Sequence, residues 1–433
     1  MRLTRRYFLK STGVVMTYLG VAPVLPGAAM GAITPRDVTR KRTLVVVFLR
    51  GGADGLNMVV PHGDADYYRL RKGIAVAAPG GGEAGGAIDL DGMFGLNPRM
   101  GALKPLFDEG VCVAAHAVGY DRNTRSHFEE QDTWETGVVG NTISSDGWLN
   151  RHLATSTGHG PIRAVSVGDS LPRIMQGKAA AFAVRGLDDL SLPKSARHVD
   201  PSRVQAALEH AYSARPERER GAAQDLLAQT AGTTLEGVAQ LRSLSSEGPQ
   251  PAAAEYPKSE LGKKLAQVAR LIKADVGLEV AEVDLGGWDT HQNQGRGGDG
   301  QFGNLCQTVA EALAAFNRDL GGKMDDVLVV TLTDFGRTAS ENGTGGTDHG
   351  WANCMLLMGG AVKRGSAASG AADRRVVANW PGLGPEQLHQ KRDLLHTTDF
   401  RDVLGEVVSV HLGNENLKAV LPGHEFKDVG LVA

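Results

Sequence analysis

Acids and histidines in this chain gather in short glycine-flanked segments, the composition of loops that hold a cation. Gly286-Gly287-Trp288-Asp289-Thr290-His291-Gln292 sets Asp289 and His291 two residues apart, so both can face one divalent ion, zinc, manganese or calcium, with oxygen and nitrogen ligands. Gly345-Gly346-Thr347-Asp348-His349-Gly350 repeats the theme with Asp348 and His349 adjacent. Thr333-Asp334-Phe335-Gly336-Arg337-Thr338 offers Asp334 as a cation ligand and Arg337 three residues on. The Arg337 fork fits phosphate or sulfate oxygens, or the Asp334 carboxylate itself. Arg50-Gly51-Gly52-Ala53-Asp54-Gly55-Leu56-Asn57 presents Asp54 on a tight glycine turn. In Arg122 to Glu130, Ser126 stands where a helix would begin, with Glu129 three residues later, the pattern of a capping box. A hydroxyl there is equally a nucleophile for phosphorus or sulfur, activated by a helix N-terminus and a metal. His127 beside it suits a ligand, a leaving-group acid or plain structure.

Such loops need a rigid edge to hang from, and the apolar pattern supplies one. Leu44 to Leu49 is a continuous run, as expected of a strand buried on both faces. Val111 to Ala115, Leu278 to Leu285, Val327 to Leu332 and Met355 to Met358 read as four more strands. Helical spacing of Leu261, Leu265, Val268, Ile272 and Val276 precedes the third; Phe302, Leu305, Val309, Leu313, Phe316 and Leu320 precede the fourth. Thr398 can cap a last helix through Phe400, Val403, Leu404, Val407 and Val408, closed by Gly413. The alternation predicts an α/β fold, in which ligands sit beyond the carboxyl ends of parallel strands. On that rule the carboxylates of Asp54, Asp289 and Asp334 lie within about 10 Å of one another, the scale of a two-metal cluster. His291 and His349 are then ligands, because no burial period asks for an imidazole in these loops. Two stretches look like insertions, the Gly/Ala-rich Ala78 to Ala87 and the Ala/Arg/Glu/Ser-rich segment from about Ser195 to Pro257.

The N-terminus addresses the chain. Thr4-Arg5-Arg6-Tyr7-Phe8-Leu9-Lys10, an apolar run from Val14 to Leu25 and small residues at Gly27 to Ala32 form a twin-arginine signal over residues 1–32. It predicts a folded cargo carried by the twin-arginine translocase to the periplasm or beyond. Without its four basic residues the chain keeps 42 basic against 49 acidic side chains, a net of −7, which disfavours nucleic acid. No later apolar run is long enough for a membrane span. Cys112, Cys306 and Cys354 are too few and too scattered for a disulfide framework or a cysteine zinc site. Arg5 and Arg6 both changed to Lys should leave the protein in the cytoplasm, because the receptor reads the pair and not charge alone; normal export of that variant in a fractionation would remove the signal assignment.

The ordered set of Phe48 to Asn57, Arg125 to Glu129, Gly287 to His291, Asp334 to Thr338 and Thr347 to Gly350, behind a twin-arginine signal, resembles the exported DUF1501 family. That family is usually placed in the alkaline phosphatase/sulfatase superfamily, and the resemblance runs over nearly the whole of residues 40–433. It implies an α/β/α sandwich with a mostly parallel central sheet and a two-metal site. Asp54 would match the first-strand metal ligand and Ser126 the nucleophile. Asp289 and His291 would match the Asp/His pair of one metal, with Asp334, Asp348 and His349 supplying the rest. Two departures stand out: Asp289 and His291 are closer together than the superfamily often has them, and Phe335 follows Asp334 where a histidine is common. A Cys-x-Pro-x-Arg sulfatase signature is absent.

The function expected from these residues is metal-dependent hydrolysis of phosphate or sulfate esters on a small molecule or glycan, with Arg337 on a non-bridging oxygen. The alternative is a non-catalytic periplasmic binding or assembly protein that keeps a partial metal site. A redox enzyme would want a Cys cluster, a haem motif or a Gly-x-Gly-x-x-Gly turn at a strand end, and the chain has none of these.

Overall fold

In a computed structural model, the described residues are 41–81, 85–140, 144–158, 160–187, 252–362 and 375–433, with a few positions between 236 and 244. The signal over 1–32 and most of the expected insertion at 195–257 lie outside them.

Among the described residues, nine strands form the main sheet. They are β1 (Thr43–Leu49), β2 (Cys112–Gly119), β3 (Ala164–Val167), β4 (Phe182–Val184), β5 (Val280–Leu285), β6 (Val327–Thr333), β7 (Asn353–Gly359), β8 (Val376–Val377) and β9 (Thr398–Asp399). Their order across the sheet is β8-β2-β7-β6-β1-β5-β3-β4, with β9 also on β2. Every pairing is parallel except the two made by β7, which runs against β6 and β2. A second, three-stranded sheet of short strands lies between β1 and β2 in the chain.

β1 shows why the sheet is central. All seven of its residues are buried. Val45, Val47 and Leu49 enter one apolar core, whereas Leu44, Val46 and Phe48 enter the core on the opposite face. Helices cover both faces. α3 (Glu260–Lys273) and α4 (Gly300–Leu320) bring Leu261, Leu265, Val268, Phe302, Val309 and Leu313 to the first core. α1 (His127–Thr136), α2 (Trp148–Thr155) and α5 (Phe400–Glu406) bring Trp134, Leu149, Leu153, Val403 and Leu404 to the second. Each such side chain stabilises the fold by about 1.5–3 kcal/mol. The molecule is the expected α/β/α sandwich.

Several local expectations change. The α5 N-cap is Asp399, whose side chain accepts from Arg401 N, and Thr398 belongs to β9. β2 continues four residues beyond Ala115, to Gly119, so the Arg122–Glu130 loop follows a strand end after all. Among the described residues no helix is long and apolar enough to cross a membrane.

Register decides where the loops emerge. Leu49 lies level with both Leu285 and Thr333. The chain therefore leaves β1, β5 and β6 side by side, and Arg50, Gly286 and Asp334 open three loops at one edge. Val118 of β2 is level with Asn353, the first residue of antiparallel β7, so the segment entering β7 meets the same edge.

Arg50 then fixes α1 over that edge. It pairs with Glu135 on α1 at 2.7 Å and with Asp284 at 2.9 Å, and donates to Gln131 at 3.2 Å. Glu282, inside β5, is the weak point of this network. Burial, reinforced by Asp284, pushes its carboxyl up to about 7. A raised folded value means that this residue's contribution to stability is complete below the ordinary carboxylate range and is lost as pH rises through 7. Glu282→Gln should flatten that decline by a few kcal/mol between about pH 5 and pH 8 in denaturant titrations. An unchanged slope would show that Arg50 already neutralises it.

Candidate metal centre

Two glycines allow the loops to close on one another. Gly51 and Gly52 have φ of +119° and +69°. A Cβ on Gly51 would lie 2.7 Å from the Asp289 amide, and one on Gly52 would meet the Phe335 ring at 2.6 Å. Arg337 fills the space between the loops. It donates to the carbonyls of Gly52 at 2.6 Å, Trp288 at 3.0 Å and Thr347 at 3.1 Å, to that of Gly51, and to Asp289 Oδ1 at 2.7 Å. Its guanidinium is fully buried and its N–H groups face the protein. Arg337 thus ties together the β1, β5 and β7 loops, and the structure gives it this role in place of a clamp on a substrate oxygen.

Three histidines meet above it. The Nδ1 of His127 bonds Asp334 Oδ2 at 2.6 Å, that of His291 bonds Asp348 Oδ1 at 3.1 Å, and that of His349 bonds the Arg125 carbonyl at 2.8 Å. Each partner is an acceptor, so each Nδ1 carries a proton, and each ring turns its Nε2 the other way. Those atoms converge on one carboxylate oxygen, Asp289 Oδ1, from 3.4 Å for His127, 3.0 Å for His291 and 3.2 Å for His349. The His291 and His349 Nε2 atoms are themselves 2.9 Å apart, and the His127 Nε2 is buried without a hydrogen-bond partner. Three ring nitrogens gathered on one carboxylate oxygen are an arrangement that a bound cation would bridge.

The donor set fits a metal. Ligand atoms of His127, Asp289 and His349 all lie within 4.8 Å of one another, the one such group among the described residues. With metal–nitrogen bonds of about 2.0–2.1 Å, the edge of a tetrahedral ligand set is about 3.3 Å. The His127 and His349 spacings to Asp289 Oδ1, 3.4 and 3.2 Å, match that edge; His291 lies outside this group, although its Nε2 is 2.9 Å from that of His349. Imidazoles oriented through Nδ1 by carboxylates or a carbonyl are the usual second layer of a metal site.

Electrostatics agree. Burial would raise Asp289, but the Arg337 hydrogen bond and charge hold it below the usual carboxylate range. Burial would likewise raise Asp334, which His127, Gln131 and the Gly51 amide together hold low. The Asp334 hydrogen bond raises His127, whereas burial lowers His349. Phe335, fully buried, packs its ring 4.7 Å from that of His127 and 4.6 Å from that of His349. Phe335 is thus an apolar backing for both imidazoles.

A family model described as "Protein of unknown function (DUF1501)" matches residues 113–418. The chain belongs to the DUF1501 family. Every histidine and acid of the cluster falls within the DUF1501 match, and β1 with Asp54 precedes it. No curated protein matches the chain. Among solved structures, the PsFucS1 sulfatase from Pseudoalteromonas sp. is similar at 12% identity and a TM-score of 0.31. The alignment covers 78% of this DUF1501 chain and 64% of the sulfatase.

The remaining candidates of this DUF1501 protein take other places. Asp54 is fully buried, paired with Arg71 at 2.6 Å and accepting from Gln294 at 2.7 Å, and neither contact reaches the histidines. Asp334 and Asp348 orient imidazoles. Ser126 is the N-cap residue of α1, but its side chain makes no capping bond. Glu130, not Glu129, closes that turn by accepting from the Thr124 amide at 2.7 Å and from Tyr120. Arg125, at φ +60°, carries the carbonyl that holds His349. Sequence reading missed Arg71, Gln131 and Asn342, and noted Arg125 only as part of the Arg125 to Glu129 motif. Of the three missed, only Gln131 had a signal, lying four residues after His127 on the same helix face.

Proposed function

We propose that this protein is exported by the twin-arginine translocase and hydrolyses esters, phosphate or sulfate esters first among them, at a single divalent metal. His127, Asp289, His291 and His349 would hold the ion. The observation that supports this reading is the convergence of three imidazole Nε2 atoms on Asp289 Oδ1 at 3.0 to 3.4 Å. The Asp289 side chain is 46% exposed, so the centre is open to a substrate, unlike a closed structural site. Zinc or manganese suits this nitrogen-rich set better than calcium, which prefers oxygen.

A bound ion supplies Lewis acidity to an ester and charge for an attacking or leaving oxygen. The chain supplies the rest. Asp334, Asp348 and the Arg125 carbonyl keep the Nδ1 protons in place, and Arg337 keeps Asp289 ionised. The Ser126 hydroxyl, free of a capping bond at the start of α1, is the nucleophile, and the helix N-terminus favours its developing charge. Ser126→Ala should abolish turnover and spare metal content. It should cost well under the roughly 1 kcal/mol of a lost cap, since no cap bond exists. Full activity in that variant would assign the attack to water.

One observation favours the binding-protein alternative: Arg337 is spent on the protein, so it is not available to a dianionic ester. The discriminating experiment is a panel of aryl phosphate and sulfate esters against protein stripped of metal and reloaded. Turnover restored by one divalent ion supports the enzyme; no turnover of any ester by fully loaded protein supports the binder.

A further inference from the structure

A cavity of about 460 Å³ adjoins the centre on the His291 side. Gly73 and Ile74 form one wall, Asn293 and Gly295 a second, and Glu341 with Asn342 a third. Asn342 joins cavity and centre, donating through Nδ2 to the His291 carbonyl at 2.9 Å and to Asp348 Oδ1 at 3.1 Å. Glu341 holds the first wall in place by accepting from the amides of Gly73 at 2.7 Å and Ile74 at 3.0 Å.

The lining chemistry is selective. No lining residue is cationic, and one is a carboxylate. A phosphate or sulfate group would meet Glu341 with nothing to offset its charge. A neutral group rich in hydroxyls would find an acceptor in Glu341 and both donor and acceptor in the Asn293 amide. We infer that this cavity holds a neutral, hydroxyl-bearing part of the substrate, a sugar or other polyol, beside the ester at the metal. Calling the ligand substrate rests on the proposed hydrolase; its binding does not require the metal.

Gly343 lines the cavity, and a Cβ built there meets nothing within 4 Å, so Gly343→Trp fills space without forcing the backbone. Asn293, at φ +49°, suits Asn293→Gly, which removes the amide and keeps the turn. Binding of D-glucose, D-galactose and myo-inositol to the full chain is measured by calorimetry, with and without chelator. At least one probe should bind in both conditions and weaken ten-fold or more in Gly343→Trp and in Asn293→Gly, with unchanged melting temperature and metal content. Failure of all three probes on the wild-type chain, equal affinity in both variants, or displacement of the sugar by inorganic sulfate or phosphate would overturn the assignment. Sugar binding without hydrolysis of any ester would defeat the hydrolase and leave this site standing.

Discussion

His349→Ala is expected to empty the metal centre. Its Nε2 lies 2.9 Å from that of His291 and 3.2 Å from Asp289 Oδ1, so the change removes the ligand shared by the rest of the set. The side chain is partly exposed, and its loss opens no core cavity. Metal affinity should therefore fall by more than the roughly 10–100-fold typical of an orienting residue. Asp334→Asn supplies that comparison, because Asp334 orients His127 through Nδ1 and anchors the Gly51 loop without being one of the four residues proposed to hold the ion. Equilibrium dialysis against a competing chelator should rank wild type above Asp334→Asn and Asp334→Asn above His349→Ala. Equal affinity in all three would make the histidines structural.

Arg337→Met should damage the fold more than the chemistry. The substitution leaves the loop carbonyls of Gly51, Gly52 and Thr347 without their donor and Asp289 without its cation, at a site where the guanidinium is fully buried, while the Trp288 carbonyl keeps the Thr290 amide. Leaving buried carbonyls without a donor costs about 1–3 kcal/mol each. Denaturant unfolding should show a loss of that size, and metal content should fall with it because the loops no longer close. A variant of near wild-type stability that fails only in turnover would return Arg337 to the substrate.

The sheet was legible because burial writes itself into sequence. β1 and β6 are covered on both faces, so their residues form nearly unbroken apolar runs, whereas Glu282 and Asp284 interrupt β5; the acids that follow all three mark the carboxyl edge. Shorter strands gave no such signal: β8 and β9 have two residues each and lie at the margin. Strand direction was also hidden. Nothing in Met355 to Met358 reveals that β7 runs backwards, which is why the Asp348-His349 loop enters the strand instead of leaving one.

At the site, residue types were readable and pairings were not. Asp54, Asp334 and Asp289 look alike in sequence, each an acid in a loop just beyond a strand. Their roles part through partners that spacing cannot reveal: Arg71 for Asp54, His127 for Asp334, and three imidazoles for Asp289. Arg337 turned inward because carbonyls from converging loops, those of Gly51, Gly52 and Thr347, required donors.

The most direct test is elemental analysis of the protein expressed as the full chain with residues 1–32 in place, combined with X-ray absorption at the edge of the metal found. One divalent ion per chain with two or more imidazole nitrogens in its coordination shell is the expected result. It should disappear in an Asp289→Ala, His349→Ala double variant that remains folded. A protein without metal, or one whose ion survives that double change, would contradict a centre built on Asp289 and its three histidines.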